Sequence, residues 1–364
     1  MSKKTPGAER RDLADLERPA LEALLEASGV ERFRARQIFR WIHRHGVTNI
    51  DAMTDLSRQL RTTLADAFTL TTPVLVHREQ SVDGTEKFLL RLADGRQIES
   101  VFIPDSPGQT FCISTQVGCA MRCAFCLTGK MGLARHLAAG EIVGQVRVLA
   151  EEIGLLDARF NIVLMGMGEP LHNYDETMKA LRILGDQDGL AVSPRRVTIS
   201  TVGLVPALER LAQEPYMPNL AVSLHATTEA QRDLLVPLNK KYNIAEVIEA
   251  CRRFPIKRRS RITFEYVMLA GVNDSREDAK RLVSLLNGIR SKVNLIPLNE
   301  AAGIPFSRPT DERVDEFAQI LADRHLTVSV RKSRGRDIRA ACGQLIVEET
   351  EKSAGQKLAA AMPT

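Results

Sequence analysis

The sequence predicts an α/β protein: a partial parallel barrel of six strand–helix units with one extra strand, preceded by a small helical domain and a connecting β-hairpin. Two observations support this fold class. Short β-rich runs alternate with helical stretches from residue 111 onward, whereas apolar residues before residue 69 recur at intervals of three to four. Such alternation is typical of a parallel sheet with helices on its faces. The 364-residue chain, 44% apolar, is long enough for one large core and an accessory domain.

Residues 1–84 are interpreted as the helical accessory domain. Between residues 15 and 68 apolar side chains recur at helical spacing, and Ser57 is a candidate helix cap. Basic side chains are concentrated in one stretch beside three aromatic residues; they are Arg32, Arg34, Arg36, Arg40, His43, Arg44 and His45. This cluster is either a solvated helix face or a contact surface for RNA phosphates, and both interpretations stay open.

Residues 85–104 predict the β-hairpin. The runs KFLLRL and QIESVFI alternate with a period of two, and the Asp94-Gly95 pair between them is typical of a tight hairpin turn.

Residues 105–345 predict the barrel, and residues 346–364 a C-terminal helix with a frayed tail. The predicted barrel strands are 111–115, 160–165, 196–201, 219–224, 262–269, 293–298 and 326–330. The first and last strands of a barrel are neighbours, so Cys112 and Cys342, which lie on or after these strands, are expected to meet.

The C-terminal ends of the predicted strands carry the chemically unusual residues. Ligands of such barrels bind at this end, which we call the mouth. Five loops contribute: the loop with Cys119, Cys123 and Cys126, and the segments 166–170, 200–201, 223–225 and 297–299. The sequence therefore predicts one site at the mouth.

Composition narrows the class of protein. No apolar run reaches the roughly 18 to 20 residues of a membrane span, and no apolar segment follows the polar N-terminus, so a cytoplasmic, non-membrane protein is expected. A net charge of +5 is weak support for a polyanionic partner. The six cysteines are then unlikely to form a disulfide framework, which favours metal binding or thiol chemistry.

The motif Cys119-Ala-Met-Arg-Cys123-Ala-Phe-Cys126 has CxxxCxxC spacing. Three thiolates in one loop suit a [4Fe–4S] cluster with one open iron, because structural zinc normally takes four ligands. The alternatives are a zinc site completed by a distant residue such as His136, or three unrelated thiols.

The cysteine motif resembles that of the radical S-adenosylmethionine (SAM) superfamily, including the aromatic Phe125 before the last cysteine. The resemblance implies SAM bound to the open iron and cleaved to a 5′-deoxyadenosyl radical. The segment from Gly166 to Pro170 resembles the superfamily's glycine-rich SAM-binding element, which makes Gly168 and Glu169 candidate SAM contacts. Taken alone, this segment is also compatible with a simple tight turn.

Longer stretches resemble the RlmN/Cfr family of radical SAM adenosine methyltransferases. The matching stretches are QIESVFIP, CISTQVGCAMRCAFC, MGMGEPLHN, ISTVG, SLHAT, PLN and RAACGQL. The resemblance implies that Cys342 carries a methyl group from a first SAM, that Cys112 resolves the intermediate through a transient disulfide, and that Glu99 accepts the ring proton. It implies further SAM contacts at Ser200, Ser223, Leu224, His225 and Asn299.

Each of these residues also has an ordinary interpretation. Buried cysteines are often small apolar core residues, Glu99 fits an outward-facing strand position, and polar residues at strand ends are usually caps. Cys251 matches nothing in the family and is interpreted as a structural thiol.

The resemblance implies methylation of C2 of an adenosine in 23S rRNA, at the peptidyl transferase centre, and in tRNA next to the anticodon, with two SAM consumed per turnover. Methylation of C8 is the alternative regiochemistry. An electron donor such as flavodoxin and a monomeric state are expected. Two basic runs, Arg252–Arg261 and Arg331–Arg336, are predicted to supply charge for RNA beside the mouth. The rival functions are another radical SAM reaction and a non-catalytic RNA-binding protein with a zinc site.

Overall fold

Three helices form the N-terminal part of the computed structural model, which describes residues 10–104, 108–257 and 260–347. The helices are α1 (Arg18–Ala27), α2 (Arg32–His43) and α3 (Arg58–Ala67), with single 3₁₀ turns at Leu13–Asp15 and Ile50–Ala52. The Ser57 hydroxyl accepts a hydrogen bond from the backbone N–H of Leu60 at 3.2 Å, so the predicted helix cap is confirmed.

A ten-stranded sheet and a separate two-stranded ribbon account for the strands. The strands are β1 (Val74–Gln80), β2 (Glu86–Arg91), β3 (Gln97–Ile103), β4 (Thr110–Cys112), β5 (Gln116–Gly118), β6 (Leu133–His136), β7 (Asn161–Leu164), β8 (Val197–Thr201), β9 (Asn219–Ser223), β10 (Ile262–Met268), β11 (Ser291–Pro297) and β12 (Thr327–Val330). The large sheet has the order β1-β2-β3-β4-β7-β8-β9-β10-β11-β12, and β5 pairs with β6.

Helices connect the strands from β5 onward. They are α4 (Leu127–Met131), α5 (Ala139–Ile153), α6 (Tyr174–Gly185), α7 (Val205–Leu211), α8 (Glu229–Leu235), α9 (Ile244–Arg253), α10 (Arg276–Leu286) and α11 (Asp311–Ala322), with 3₁₀ turns at Pro194–Arg196 and Pro237–Lys240. Strands β4 and β7 to β12 pair in parallel. The seven predicted barrel strands and the α/β fold class are therefore confirmed.

The barrel is open among the described residues. Strand β12 pairs with β11, and β4 pairs with β3 and β7, so the first and last barrel strands are not hydrogen-bonded to each other, in agreement with the predicted partial barrel. The edge of β4 is instead occupied by the antiparallel strand β3, in a register that places Val101 opposite Cys112.

The hairpin of β2 and β3 is confirmed, but it belongs to a longer antiparallel arm. Strand β1 adds to its outer edge and lies within residues 1–84, which the sequence analysis interpreted as a helical domain without a strand. Helix formation stops at Ala67 because Pro73 cannot continue a helix and the following Val-Leu-Val run favours extended backbone. The short ribbon of β5 and β6 was also not predicted.

Ion pairs and hydrogen bonds dock the helical part onto α5 and α6. Asp15 accepts from the Lys179 ammonium at 2.6 Å and from the Gly140 N–H at 2.8 Å. Arg18 pairs with Asp186 at 3.0 Å. A side chain at Gly140 would meet the backbone of Asp15 at about 3.1 Å, so the glycine permits the close approach.

Within the described ranges, no helix combines the length and the apolar character needed to cross a bilayer. The predicted C-terminal helix lies outside the described residues, apart from Ile346 and Val347, which are not helical.

Candidate active site

A cavity opens at the carboxyl ends of the barrel strands, with about 910 Å³ of space when its open mouth is included. All five predicted loops line it. The candidate residues that it brings together are Cys119, Cys123, Cys126, Gly168, Glu169, Ser200, Ser223, His225, Asn299 and Cys342. Glu99, Cys112 and Leu224 do not line it.

The three motif cysteines lie in a loop between β5 and α4. Arg122, between the first two, has a left-handed backbone (φ 54°), which tightens the turn. The backbone N–H of Cys119 donates to the Gly132 carbonyl at 2.8 Å, and that of Cys126 donates to the Cys123 carbonyl at 3.1 Å. The loop therefore holds the three thiols on one side of the cavity.

The surroundings of these thiols oppose their ionisation. Burial raises the pKa of Cys119 to about 12 and also raises the pKa of Cys126. Burial and then the two neighbouring cysteines raise the pKa of Cys123 further. A metal centre would supply the positive charge that makes three buried thiolates favourable.

No three His, Cys, Asp or Glu side chains in the described part of the chain are close enough to ligate one metal ion. A [4Fe–4S] cluster takes each thiolate on a different iron, so its ligands stand further apart than those of a single ion. His136, the candidate fourth zinc ligand, contacts Gln116 at 3.0 Å and the ring of His172, and does not line the cavity. The cysteine loop fits a cluster with an open iron.

The glycine-rich segment after β7 packs tightly against the chain that follows β4. A Cβ atom at Gly166 would lie 2.8 Å from the Ile113 backbone, and one at Gly168, which has φ +105°, would lie 2.6 Å from Gln116. Both glycines are therefore required by packing within the protein as well as by access to the cavity. The backbone N–H of Glu169 then donates to the Gln116 side chain at 2.8 Å.

Glu169 is a buried carboxylate with local partners for both oxygens. It accepts from the Leu171 N–H at 3.0 Å and from the Val202 N–H at 2.9 Å. Burial nevertheless raises its pKa to about 7. An ammonium group bound in the cavity would stabilise its charged form.

His225 is held as a neutral hydrogen-bond donor. Burial lowers its pKa to about 3, and its Nδ1 accepts from the Val267 N–H at 3.1 Å, which leaves the proton on Nε2. Its ring meets the edge of Phe125 at 4.8 Å. The hydroxyls of Ser200 and Ser223 lie 3.4 Å apart on the neighbouring strands.

Two buried acceptors in the cavity have no partner among the described residues. Asn299 donates its amide to the Cys342 carbonyl at 3.3 Å, but its Oδ1 is unpaired. Glu265 accepts from Asn294 at 2.9 Å through one oxygen, and its other oxygen is unpaired. Unpaired buried acceptors are costly, so a ligand rich in donors, such as the ammonium and ribose groups of SAM, fits this cavity.

Cys342 lies in a C-terminal segment that is hydrogen-bonded to the first two residues of α4, directly after the cysteine loop. The Leu127 N–H donates to the Gly343 carbonyl at 2.8 Å, and the Thr128 hydroxyl donates to the Leu345 carbonyl at 2.6 Å. Cys342 itself is exposed and lines the cavity. The segment thus presents one thiol to the same space as the three motif cysteines.

Cys112 is buried at the end of β4, beside the cavity wall. Burial raises its pKa to about 12, and the charge of Cys342 adds to the increase. Cys112 lies on β4, whereas Cys342 lies on the segment that follows β12. Cys251 is fully buried in α9, in agreement with a structural thiol.

Glu99 is buried, so it is not the outward-facing strand carboxylate of the ordinary interpretation. Lys87 pairs with one of its oxygens at 3.1 Å, and the Ile346 N–H donates to the other at 2.9 Å. Burial raises its pKa, although the Lys87 charge opposes the increase. Glu99 therefore contacts the segment that carries Cys342.

Leu224 is fully buried, and its backbone groups are engaged within the protein. Its N–H donates to the Glu265 carbonyl at 3.1 Å, and its carbonyl accepts from Arg232 at 3.2 Å.

The sequence analysis missed Glu265, although a lone carboxylate in the apolar run ITFEYVML was a usable signal. It also assigned Arg331 to a surface run, whereas Arg331 lines the cavity.

The basic face of α2 is largely neutralised. Arg32 and Arg36 both pair with the buried carboxylate of Glu22, at 2.7 Å and 3.0 Å. Arg40 pairs with Asp188 at 2.5 Å. These contacts favour a structural role for the three arginines over an RNA-contact surface.

The described residues of the run Arg252–Arg261 are not beside the mouth, contrary to the sequence analysis; Arg258 and Arg259 lie outside the described residues. Arg252 and Arg253 end α9, Lys257 and Arg261 precede β10, and parallel strands begin at the opposite end of the barrel. Because the run precedes β10 in the sequence, its location at this end of the barrel could have been predicted from the order of the elements.

Comparison with known proteins shows the family of the chain. A model of the ribosomal RNA large subunit methyltransferase N-terminal domain matches residues 11–70, and one of the radical SAM superfamily matches residues 113–283. The dual-specificity RNA methyltransferase RlmN of Pelobacter propionicus is 50% identical over 337 residues, which cover 93% of this chain and 96% of the relative. The chain belongs to the RlmN family.

A second RlmN relative and a solved structure lead to the same family. RlmN of Geobacter sulfurreducens is 50% identical over 334 residues, covering 92% of this chain and 91% of the relative. A crystal structure of a radical SAM methyltransferase from Sphaerobacter thermophilus matches with a TM-score of 0.89 at 49% identity, covering 93% of this chain and all of that one. The protein is a radical SAM RNA methyltransferase, and the zinc-binding RNA module is excluded.

Proposed function

We propose that the protein methylates C2 of an adenosine in 23S rRNA, at the peptidyl transferase centre, and in tRNA next to the anticodon. The observation that carries this proposal is that Cys342 lines the same cavity as the three motif cysteines, on a segment hydrogen-bonded to the first two residues of α4, directly after the cysteine loop. A reaction that needs a methyl-carrying thiol next to a radical source requires this juxtaposition.

Cys119, Cys123 and Cys126 would hold the [4Fe–4S] cluster, and Gly168, Glu169, Ser200, Ser223, His225 and Asn299 would contact SAM. Leu224 would act through its neighbours, because its own groups are engaged. The bound cofactors supply a methyl group from one SAM and a carbon-centred radical from a second, hence two SAM per turnover.

Cys342 would accept the methyl group as a thioether. The SAM-derived radical would take a hydrogen atom from that methyl and leave a carbon radical on Cys342 that adds to the electrophilic C2 of adenine. The adduct would then lose one electron, which a [4Fe–4S] cluster would accept, and the ring proton. Glu99 would take the ring proton; its raised pKa and its contact with Ile346 suit a group that exchanges protons beside the Cys342 segment. The charge of Lys87 favours the carboxylate form of Glu99 that accepts the proton.

Cys112 would resolve the covalent enzyme–RNA intermediate. Its thiolate would attack the Cys342 sulfur and form a Cys112–Cys342 disulfide that remains for reduction, while the electron pair of the broken sulfur–carbon bond goes to the RNA-bound carbon, which takes up a proton to become the methyl group. The electrostatic coupling of the two thiols supports this pairing. An electron donor such as flavodoxin and a monomeric enzyme complete the proposal.

The test is mass spectrometry of nucleosides from 23S rRNA and tRNA treated with anaerobically reconstituted protein, SAM and a reductant. We expect 2-methyladenosine in both RNAs. Detection of 8-methyladenosine would replace the proposed regiochemistry, and SAM cleavage with neither nucleoside would remove the support for these substrates.

A further inference from the structure

A basic groove crosses the end of the barrel at which the parallel strands begin, opposite the mouth. Two adjoining cavities form it and share Arg195. Their walls include the first residues of three barrel strands, Asn161, Asn219 and Ile262. The candidate active site uses none of these residues.

The groove is strongly cationic. Its basic side chains are Arg159, Arg195, Arg196, Lys257 and Arg261. Arg159, Arg195, Lys257 and Arg261 are exposed, and Arg196 is half-buried. No aspartate or glutamate stands among the described residues that line the two cavities.

These five cations have no carboxylate partner in the described parts of the chain. Arg261 donates to the Thr327 hydroxyl at 2.8 Å, which leaves its charge uncompensated. The contrast with the adjacent end of α9 is direct, because Arg253 pairs with Glu209 at 2.9 Å and Arg252 lies 3.7 Å from Glu249. The arginines beside the groove therefore lie next to carboxylates, whereas the basic side chains within the groove have no carboxylate partner among the described residues.

We propose that this groove binds the phosphate backbone of an RNA segment remote from the target adenosine. Unpaired arginines and lysine attract phosphates and release their counterions, while polar groups such as Gln109, Ser193 and Asn219 are suited to phosphate and ribose contacts. This inference rests on the proposed RNA substrates.

The geometry sets a condition on the RNA. Strands β10 and β11 have seven residues each, and such strands span about 20 Å, so an RNA that runs from the groove at their beginnings to the mouth beyond their ends covers about that distance along the outside of the barrel. A short stem-loop whose adenosine occupies the mouth does not reach the groove. A full-length tRNA or an extended rRNA domain does.

The experiment measures binding of the reconstituted holoenzyme to two RNAs by fluorescence anisotropy over a series of salt concentrations. The RNAs are a short stem-loop that carries the target adenosine and the full-length tRNA. We expect a steeper dependence of log affinity on log salt for the tRNA. The variant Arg195→Gln/Arg196→Gln should reduce that slope by about 1.4 to 1.8, as expected for two lost phosphate contacts, and leave the stem-loop unchanged.

The matched control is Arg252→Gln/Arg253→Gln, which removes the same charge from the same end of the barrel. Both of these arginines already form ion pairs with carboxylates. Equal slopes for the two RNAs, or equal losses in the two variants, would overturn the inference. Displacement of tRNA by poly-glutamate as readily as by unlabelled RNA would assign the groove to an acidic protein instead. The readout is binding, so it is separate from a failure to detect methylated adenosine.

Discussion

At the scale of single residues, the two cysteines outside the CxxxCxxC motif lead to opposite expectations. In Cys112→Ala the thiol that releases the RNA is missing, so a covalent adduct between Cys342 and RNA should accumulate. Denaturing gel electrophoresis with labelled RNA measures it. Cys251→Ala is the control, because that thiol is fully buried in α9 and should turn over without adduct. Normal turnover of Cys112→Ala would contradict the proposed resolving role.

Cys342→Ala should fail one step earlier. The variant lacks the thiol that is proposed to accept the first methyl group, so incubation with methyl-labelled SAM should leave the protein unlabelled. Intact-protein mass spectrometry makes the measurement. Retention of one added methyl group on the variant would show that another residue is the acceptor.

The residues of the candidate site show how much of it could be predicted from the sequence. Ten candidate residues converge on the cavity because their spacing after strand ends determines where they emerge. Glu265 escaped notice because burial at an inward-facing position of β10 depends on the barrel's cross-section rather than on local periodicity. The positions of Glu99 and Leu224 depend on partners far along the chain, Ile346 and Glu265 respectively.

At the scale of elements, Glu22 organises the helical domain. Burial would raise its pKa, but hydrogen bonds from Arg32, Arg36 and Arg18 lower it to about 2. Glu22→Gln should destabilise this domain by about 1–2 kcal/mol, a value reduced because the arginines are largely exposed. Chemical denaturation followed by circular dichroism measures the loss, with Glu26→Gln on the exposed side of α1 as the control. No difference between the two variants would contradict a structural role for the cluster.

The elements differ in how readily the sequence predicts them. Barrel strands such as β9 and β10 are apolar runs between turn residues, and they were predicted within a few residues of their ends. Strand β1 was missed because it lies at the sheet edge and is mostly exposed, which removes the apolar signal. The ribbon of β5 and β6 was missed because its strands have three and four residues and are defined by their pairing.

At the scale of the whole molecule, one buried histidine ties stability to pH. Burial, and then the Arg147 charge, lowers the pKa of His43 well below its ordinary value of 6.5. The unfolded chain therefore takes up a proton below about pH 6.5 that the folded protein does not, and stability present above that pH is lost as the pH falls. The loss approaches about 1.4 kcal/mol per pH unit for this group.

We expect His43→Leu to weaken this dependence. The apparent Tm of the wild-type protein should fall between pH 7.5 and pH 5.5, and that of the variant should fall less, because leucine has no proton to gain. Differential scanning fluorimetry under anaerobic conditions makes the comparison. Parallel decreases in the two proteins would assign the acid sensitivity to other groups, such as His225.

The distribution of charge over the molecule was the least predictable property. The runs read from the sequence as RNA-binding are in part neutralised, as at Glu22 and Asp188, and in part at the far end of the barrel. Neither outcome depends on how many basic residues a run contains, because ion pairing is decided by carboxylates from other elements.

The pairing of β3 with β4 has a mechanical consequence. Glu99 and Cys112 lie on adjacent hydrogen-bonded strands of one continuous sheet, whereas Cys342 lies on a segment attached by a few hydrogen bonds. The sheet thus fixes the positions of Glu99 and Cys112, whereas Cys342 lies on the segment that follows β12. In the proposed mechanism, we therefore expect changes in the distance from Cys342 to Glu99 and Cys112 to come from movement of the Cys342 segment.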